Sequence, residues 1–161
     1  MKIVYLIRHA ERMDFNDEQE WDKNWPKRAI EMGLDPTDAP LTEKGIIQAT
    51  QTITKIRDQP IKIYTSPFAR CVQTSEILAS ELGIEMEVST DLTEWMNVDW
   101  FWACYKHLNR IHFSKNKAYF LLEHPVFPES EEAYDMRAAQ ILDVFKSMKQ
   151  DEFPLVIVSH G

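Results

Sequence analysis

Short apolar runs alternate along this chain with longer segments whose apolar residues recur at helical spacing. "KIVYLI", residues 2–7, is apolar except at its start and predicts a central, buried strand. From Met13 to Pro40 the chain turns polar and carries Trp21, Trp25, Pro26, Pro36 and Pro40. That stretch predicts a long loop with one short helix around Lys27–Met32, and loops of such length often serve function. "PLTEKGIIQATQTITKIRD" follows, with Thr42 as N-cap, Ile46, Ala49, Ile53 and Ile56 in helical register, and a stop at Pro60. "IKIYTS" reads as the second strand. After Pro67, "ARCVQTSEILASELG" predicts a helix that turns Val72, Ile77, Leu78 and Leu82 inward and ends at Gly83. "IEMEV" is the third strand. Residues 94–128 are irregular and crowded with aromatics ("EWMNVDWFWACY"), and read as an insertion. "EEAYDMRAAQILDVFKSMK" is amphipathic, with Tyr134, Ala138, Ile141, Leu142, Phe145 and Met148 on one face. Leu155–Ser159 is the last strand. Strands alternating with helices predict one three-layer α/β/α domain, 1–161, with a mainly parallel sheet.

That architecture places the polar chemistry. Ligands of open α/β sheets bind beyond the carboxyl ends of the strands. Arg8 and His9 fall at one such end, His160 at another, and "YTSPFAR" puts Ser66 at a third with Arg70 in the first turn of the next helix. Glu94 lies shortly after the fourth such position. Arg8, Arg12 and Arg70 offer planar, permanently charged forks suited to phosphate oxygens. An exposed helix N-terminus near Arg70 would add backbone N–H donors. A neutral imidazole is a competent nucleophile near pH 7, and neighbouring guanidinium charges keep it neutral. The other histidine can donate a hydrogen bond to the transferring group. Glu94 could protonate a leaving oxygen, although, read alone, it fits an ordinary surface carboxylate equally well.

Composition narrows the setting. The chain has 161 residues, 44% apolar and 27% charged, enough for one domain with a sizeable core. No apolar run approaches the ~18 residues of a membrane span, so no membrane partner is expected. A net charge of −8 argues against a nucleic-acid surface and makes a local arginine cluster more informative. Cys71 and Cys104 are too few for a disulfide framework, and no leader precedes the first strand at Lys2, so a cytoplasmic location is expected.

"LIRHAER", "PLTEKG", "SPFARCVQT" and the terminal "VIVSHG" together resemble the histidine phosphatase superfamily, with its phosphoglycerate mutase-like fold, over nearly the whole chain. The Arg-His-x-Glu-Arg form, "RMDF", "RCVQT" and "EW" look closer still to the Sts/TULA phosphatase domains, which act on protein phosphotyrosine and other phosphomonoesters. The resemblance implies that His9 is the residue phosphorylated, that Arg8, Arg70 and His160 line the phosphate pocket, that Arg12 is an extra arginine of that branch, and that Glu94 is the proton donor. Water would then hydrolyse the phosphohistidine. It implies a phosphorylated small molecule or phosphoprotein as substrate, no metal or other cofactor, and a homodimer as one permitted assembly. Position 10 is Ala where the family has Gly, a change that costs about 1 kcal/mol if a positive φ is needed there. Family members continue past the second His-Gly with a helix and usually another strand. A chain ending at Gly161 is therefore expected to be truncated at its C-terminal end.

Other readings stand beside these. Trp95, Trp100 and Trp102 are expected to pack the insertion, and His107, His112 and His124 show no metal-ligand spacing. "CYKHLNR" matches Cys-x5-Arg with Cys104 and Arg110, but it lacks glycine and no strand precedes it, so it does not read as a phosphate loop. A mutase that returns the phosphoryl group to a sugar acid, and a non-catalytic domain that binds phosphorylated ligands or a partner, are the alternatives to a phosphatase.

Overall fold

In a computed structural model that describes residues 1–15, 20–101 and 127–161, four strands form one sheet. They are β1 (Val4–Arg8), β2 (Lys62–Thr65), β3 (Glu85–Val88) and β4 (Leu155–Ser159), in the order β1-β4-β2-β3 and parallel throughout. Five α-helices accompany them among the described residues: α1 (Trp25–Glu31), α2 (Glu43–Thr52), α3 (Ala69–Leu82), α4 (Val98–Phe101) and α5 (Glu131–Ser147).

Strand alternation separates two apolar faces. Ile63, Val156 and Val158 pack on one side with Cys71 and Leu78 of α3. Tyr64, Leu155 and Ile157 pack on the other with Ile141 and Phe145 of α5. The result is the expected three-layer α/β/α arrangement with a parallel sheet. Because every strand points the same way, all four carboxyl ends open on one edge.

Local chemistry fixes the helices that flank that edge. Thr42 caps α2 by accepting from Gly45 N–H at 2.9 Å, and its hydroxyl donates to Glu11 Oε1 at 2.9 Å. Gly45 is required by contact: a Cβ there would lie 2.2 Å from the Glu11 carbonyl oxygen. The helix thus presses directly on the backbone that leaves β1. Gly83, at φ 66°, ends α3 in the left-handed conformation expected of it.

Several expectations are corrected by packing. β1 is an edge strand among the described residues, paired with β4 alone. Tyr5 and Ile7 pack on the α3 side, while Leu6, on the other face, is 68% exposed. α2 stops at Thr52 and continues as a 3-10 turn, Ile53–Lys55, and does not run to Pro60. Its buried positions are Gly45 and Ala49, with Ile46 exposed, because the close approach to Glu11 admits only small residues. In α3 the buried residues are Arg70, Cys71, Thr74, Ser75 and Leu78, and Val72 and Ile77 are only half-buried. In α5 the buried stripe includes Arg137, which lay outside the expected apolar face, and Leu142 is exposed. The short helix in the 13–40 loop is present, anchored by the fully buried Trp25, whose Nε1–H donates to the Pro36 carbonyl at 2.8 Å. Most of the expected 94–128 insertion lies outside the described residues, as do Trp102, Cys104, His107, Arg110, His112 and His124. No described helix is long and apolar enough to cross a membrane.

Candidate active site

The sheet brings both histidines to the same edge. His9 follows β1 and its backbone N–H donates to Ser159 O at 3.0 Å, so the ladder with β4 extends to the site itself. His160 follows β4, and the two rings stand 5.4 Å apart at 62°.

Their hydrogen bonds differ. Nδ1 of His9 lies 2.8 Å from the Ala10 carbonyl oxygen. A carbonyl can only accept, so Nδ1 carries the proton and Nε2 keeps its lone pair. Burial, with the charges of Arg70, Arg12 and Arg8, outweighs the Ala10 bond and lowers the His9 pKa to about 3. At neutral pH His9 is therefore an uncharged imidazole whose Nε2 has no hydrogen-bond partner among the described residues. Ala10 N–H donates to Thr74 Oγ1 at 3.2 Å, and Thr74 in turn donates to the Arg70 carbonyl. His160 has Nε2 at 2.8 Å from Ser66 Oγ and Nδ1 at 3.4 Å from Glu94 Oε2. Phe68 meets its ring edge-on, and burial followed by the Arg70 charge holds its pKa well below the usual value.

Arg70 forms the floor of the site. Its guanidinium lies over the Phe68 ring at 4.3 Å, and Nη2 donates to Glu94 Oε2 at 2.5 Å. The side chain is 1% exposed, yet Nε and Nη1 have no hydrogen-bond partner among the described residues. Asp38 Oδ1 stands 3.9 Å from Nη1. Asp38 also accepts from Ala69 N–H at 2.7 Å and so caps α3, whose own N-cap residue, Phe68, has no polar side chain. Burial raises the Asp38 carboxyl to about 6, against the opposing pull of the Ala69 N–H and Arg70. The expected exposed helix N-terminus is corrected by this: Phe68 is fully buried and Asp38 occupies the first N–H of the helix.

Arg12 is aimed by a neighbour. Its Nε and Nη2 donate to the two oxygens of the buried Asp14 at 2.5 Å each, its guanidinium lies over Phe15, and Nη1 comes within 4.0 Å of Glu94 Oε2. Glu94 thus sits where Arg70, Arg12 and His160 converge. Arg8 stands apart: it is exposed, and its side chain passes Gly161, where an added Cβ would meet Arg8 Cδ at 3.1 Å. A cleft of about 340 Å³, lined by Arg8, His9, Ala10, Glu11, Arg12, Phe15 and Gln48, opens beside His9. No group of three or more His, Cys, Asp or Glu among the described residues is arranged to hold a metal ion.

Of the six sequence candidates, His9, Arg12, Arg70, Glu94 and His160 meet in one cluster and Arg8 flanks it. Sequence reasoning missed Asp14, Asp38, Thr74 and the Glu129–Arg137 pair behind Glu94. "RMD" carried a usable signal for Asp14, because alternate residues on an extended segment can share a side. Nothing local marked Asp38, which reaches α3 from 31 residues away in sequence.

A neutral imidazole beside the buried Arg70 guanidinium and the partly exposed Arg12, at the carboxyl edge of a parallel α/β sheet, is an arrangement suited to a phosphoryl group. The chain belongs to the histidine phosphatase superfamily (branch 1), whose sequence profile matches residues 4–161. It is similar to the human (Homo sapiens) ubiquitin-associated and SH3 domain-containing protein A, of the Sts/TULA family, with 26% identity over 202 residues. That match covers 99% of this chain and 29% of the relative. It is also 28% identical to the ecdysteroid-phosphate phosphatase of Drosophila melanogaster over 158 residues, covering 80% of this chain and 20% of that one. The chain thus spans less than a third of either curated relative. Among solved structures, the ecdysone phosphate phosphatase of Bombix mori, in complex with tungstate, superposes with a TM-score of 0.61 at 18% identity, covering 99% of this chain and 73% of that chain. That likeness shows the phosphoglycerate mutase-like fold.

Proposed function

We propose that this chain is a phosphomonoesterase that works through a phosphohistidine on His9. The observation that carries the reading is Arg70, a fully buried cation with two unpaired nitrogen donors beside a neutral histidine. Although Nη2 is paired with Glu94, buried donors left without acceptors are costly, and a bound oxyanion supplies what Nε and Nη1 lack.

The phosphate dianion binds to Arg70, Arg12 and Arg8, and His160, whose Nδ1 stands 3.3 Å from Arg70 Nη2, donates from Nδ1 once Arg70 turns to the phosphate and Ser66 O–H donates to Nε2. Arrival of the phosphate draws Arg70 away from Glu94, which enters the reaction as the carboxylic acid. The His9 Nε2 lone pair attacks phosphorus in line, the ester P–O bond breaks, and Glu94 passes its proton to the leaving oxygen. His9 becomes a phosphoimidazolium, with Nδ1–H still donating to Ala10. Glu94, now a carboxylate, takes a proton from water as the water oxygen attacks phosphorus. The N–P bond breaks, releasing inorganic phosphate and neutral His9. The guanidinium groups stabilise the charge on the phosphoryl oxygens in both steps.

Protein phosphotyrosine and small phosphate esters are the substrate classes we propose, by likeness to the Sts/TULA relatives. Cys71, a buried free thiol, accords with a cytoplasmic setting. The test is hydrolysis of p-nitrophenyl phosphate in excess EDTA, with His9→Ala beside the parent chain at equal folded concentration. Turnover in the parent that the substitution abolishes is the expected result. Phosphate binding without turnover, unchanged in His9→Ala, would replace the phosphatase by a binding domain.

A further inference from the structure

Glu94 has no helix or strand of its own, yet its Oε2 stands 2.5 Å from Arg70 Nη2, 3.4 Å from His160 Nδ1 and 4.0 Å from Arg12 Nη1. The source of that order lies behind it. Arg137, on α5, has a side chain 7% exposed, and Glu129, next to α5's N-terminus, has one 2% exposed. Arg137 Nε and Nη2 donate to the two Glu129 carboxylate oxygens, each at 2.8 Å. The remaining donors go to backbone: Nη1 to Asp91 O at 2.7 Å and Thr93 O at 3.1 Å, Nη2 to Glu94 O at 3.4 Å. All the donors of the guanidinium are thereby used, and three of its contacts are carbonyls of a single four-residue segment. Glu129 holds the other flank, accepting from Met96 N–H at 3.3 Å and, through its own carbonyl, from Trp95 Nε1–H at 2.9 Å. Glu129 N–H donates to Met96 O at 2.9 Å.

We propose that the Glu129–Arg137 pair positions Glu94, clamping the backbone on both sides of it so that its carboxyl meets the leaving oxygen. A buried ion pair is a poor device for stability alone, since well-packed apolar residues of similar volume do as well. Apolar residues could not hold the carbonyls of Asp91, Thr93 and Glu94 in one register. The pair also links the Glu94 segment to α5, so proton donation depends on a helix that contributes no side chain to the phosphate cluster. The inference rests on the reading of Glu94 as proton donor.

The experiment separates the two. Values of kcat/KM are measured for a series of aryl phosphates, from 2,4-dinitrophenyl phosphate, whose leaving oxygen needs no proton, to phenyl phosphate, which does. Parent chain, Glu94→Gln, Arg137→Lys and Glu129→Gln are compared, each verified as folded by near-UV circular dichroism. Glu94→Gln should lose about 100-fold on phenyl phosphate and little on the dinitrophenyl ester. Arg137→Lys should reproduce that ester-dependent loss while its Glu94 is intact, and Glu129→Gln should do so to a smaller degree. A folded variant of the pair that loses the same factor on every ester, while Glu94→Gln is ester-dependent, overturns the positioning role alone. A Glu94→Gln variant that is itself indifferent to the leaving group overturns the proton-donor reading and the inference with it. Should Arg137→Lys fail to fold, Glu129→Gln, which keeps the side chain's shape, decides by the same criterion.

Discussion

Arg70 and Arg137 are both buried and both donate to a glutamate, but they differ in how many of their donors are used. Arg137 has each of its nitrogens hydrogen-bonded, to one carboxylate and three carbonyls. Arg70 uses Nη2 and leaves Nε and Nη1 unpaired among the described residues. Burial alone would assign the two arginines the same role. Their hydrogen bonds suit them to different ones: the donors of Arg137 are spent within the protein, whereas Arg70 keeps two for the phosphate we propose. The same contrast runs through the smaller groups, with Asp14 fully engaged on Arg12 and His9 Nε2 held neutral and open.

The sharpest way to break this comparison is to remove both charges. Arg70→Met should lower kcat/KM for p-nitrophenyl phosphate about 1000-fold. Its urea-unfolding free energy should fall less than that of Arg137→Met, because the lost Glu94 ion pair is offset by the removal of two buried donors without acceptors. Equal loss of stability in the two variants would refute the distinction. Arg137→Met should be the costlier at the level of folding, by about 3–5 kcal/mol relative to the parent, because Glu129 is left buried and unpaired. Urea unfolding at pH 7.5 reads this directly, and a cost under about 1 kcal/mol would mean that Glu129 finds other partners.

A pH series sharpens the comparison at His9. Its folded pKa of about 3 lies below the unfolded value near 6.5. Above pH 6.5 the group is neutral in both states. Below it the unfolded chain takes up a proton that the folded one refuses, so stability falls as pH drops. Between pH 6.5 and 5 the loss from His9 is about 2 kcal/mol. Asp38 works the other way, since its raised pKa makes the folded state the better proton acceptor between about 6 and its unfolded value. The parent chain minus His9→Ala isolates the histidine, and parallel curves for the two would show that His9 titrates normally. The smallest effect is expected at Asp14→Asn. With Arg12 less firmly aimed, KM should rise about tenfold with kcat nearly unchanged, and steady-state kinetics would show it.

The sequence announced the parts of this molecule that depend on short-range periodicity. Strand ends determine where His9, Ser66 and His160 emerge, and apolar runs located those ends. Thr42 and Gly83 were visible because capping is local. What stayed hidden depended on tertiary approach. Gly45 displaced Ile46 from the core because Glu11 passes so close. Arg137 lies buried outside the face that looked apolar, because its partner Glu129 and the loop carbonyls come from elsewhere. β1 read as central from its composition, whereas among the described strands it is an edge paired with β4 alone, and Leu6 lies exposed on its other face. Asp38 was invisible for the same reason, since a cap supplied from a distant loop leaves no spacing to detect.

The central claim is that His9 Nε2 carries the phosphoryl group. Rapid acid-free quenching of the chain turning over a ³²P-labelled aryl phosphate, followed by peptide mapping, tests it most directly. The account predicts label on His9, stable to alkali and lost in acid, and absent from His9→Ala. Full turnover with no label on His9, or label on another residue that survives His9→Ala, would contradict it.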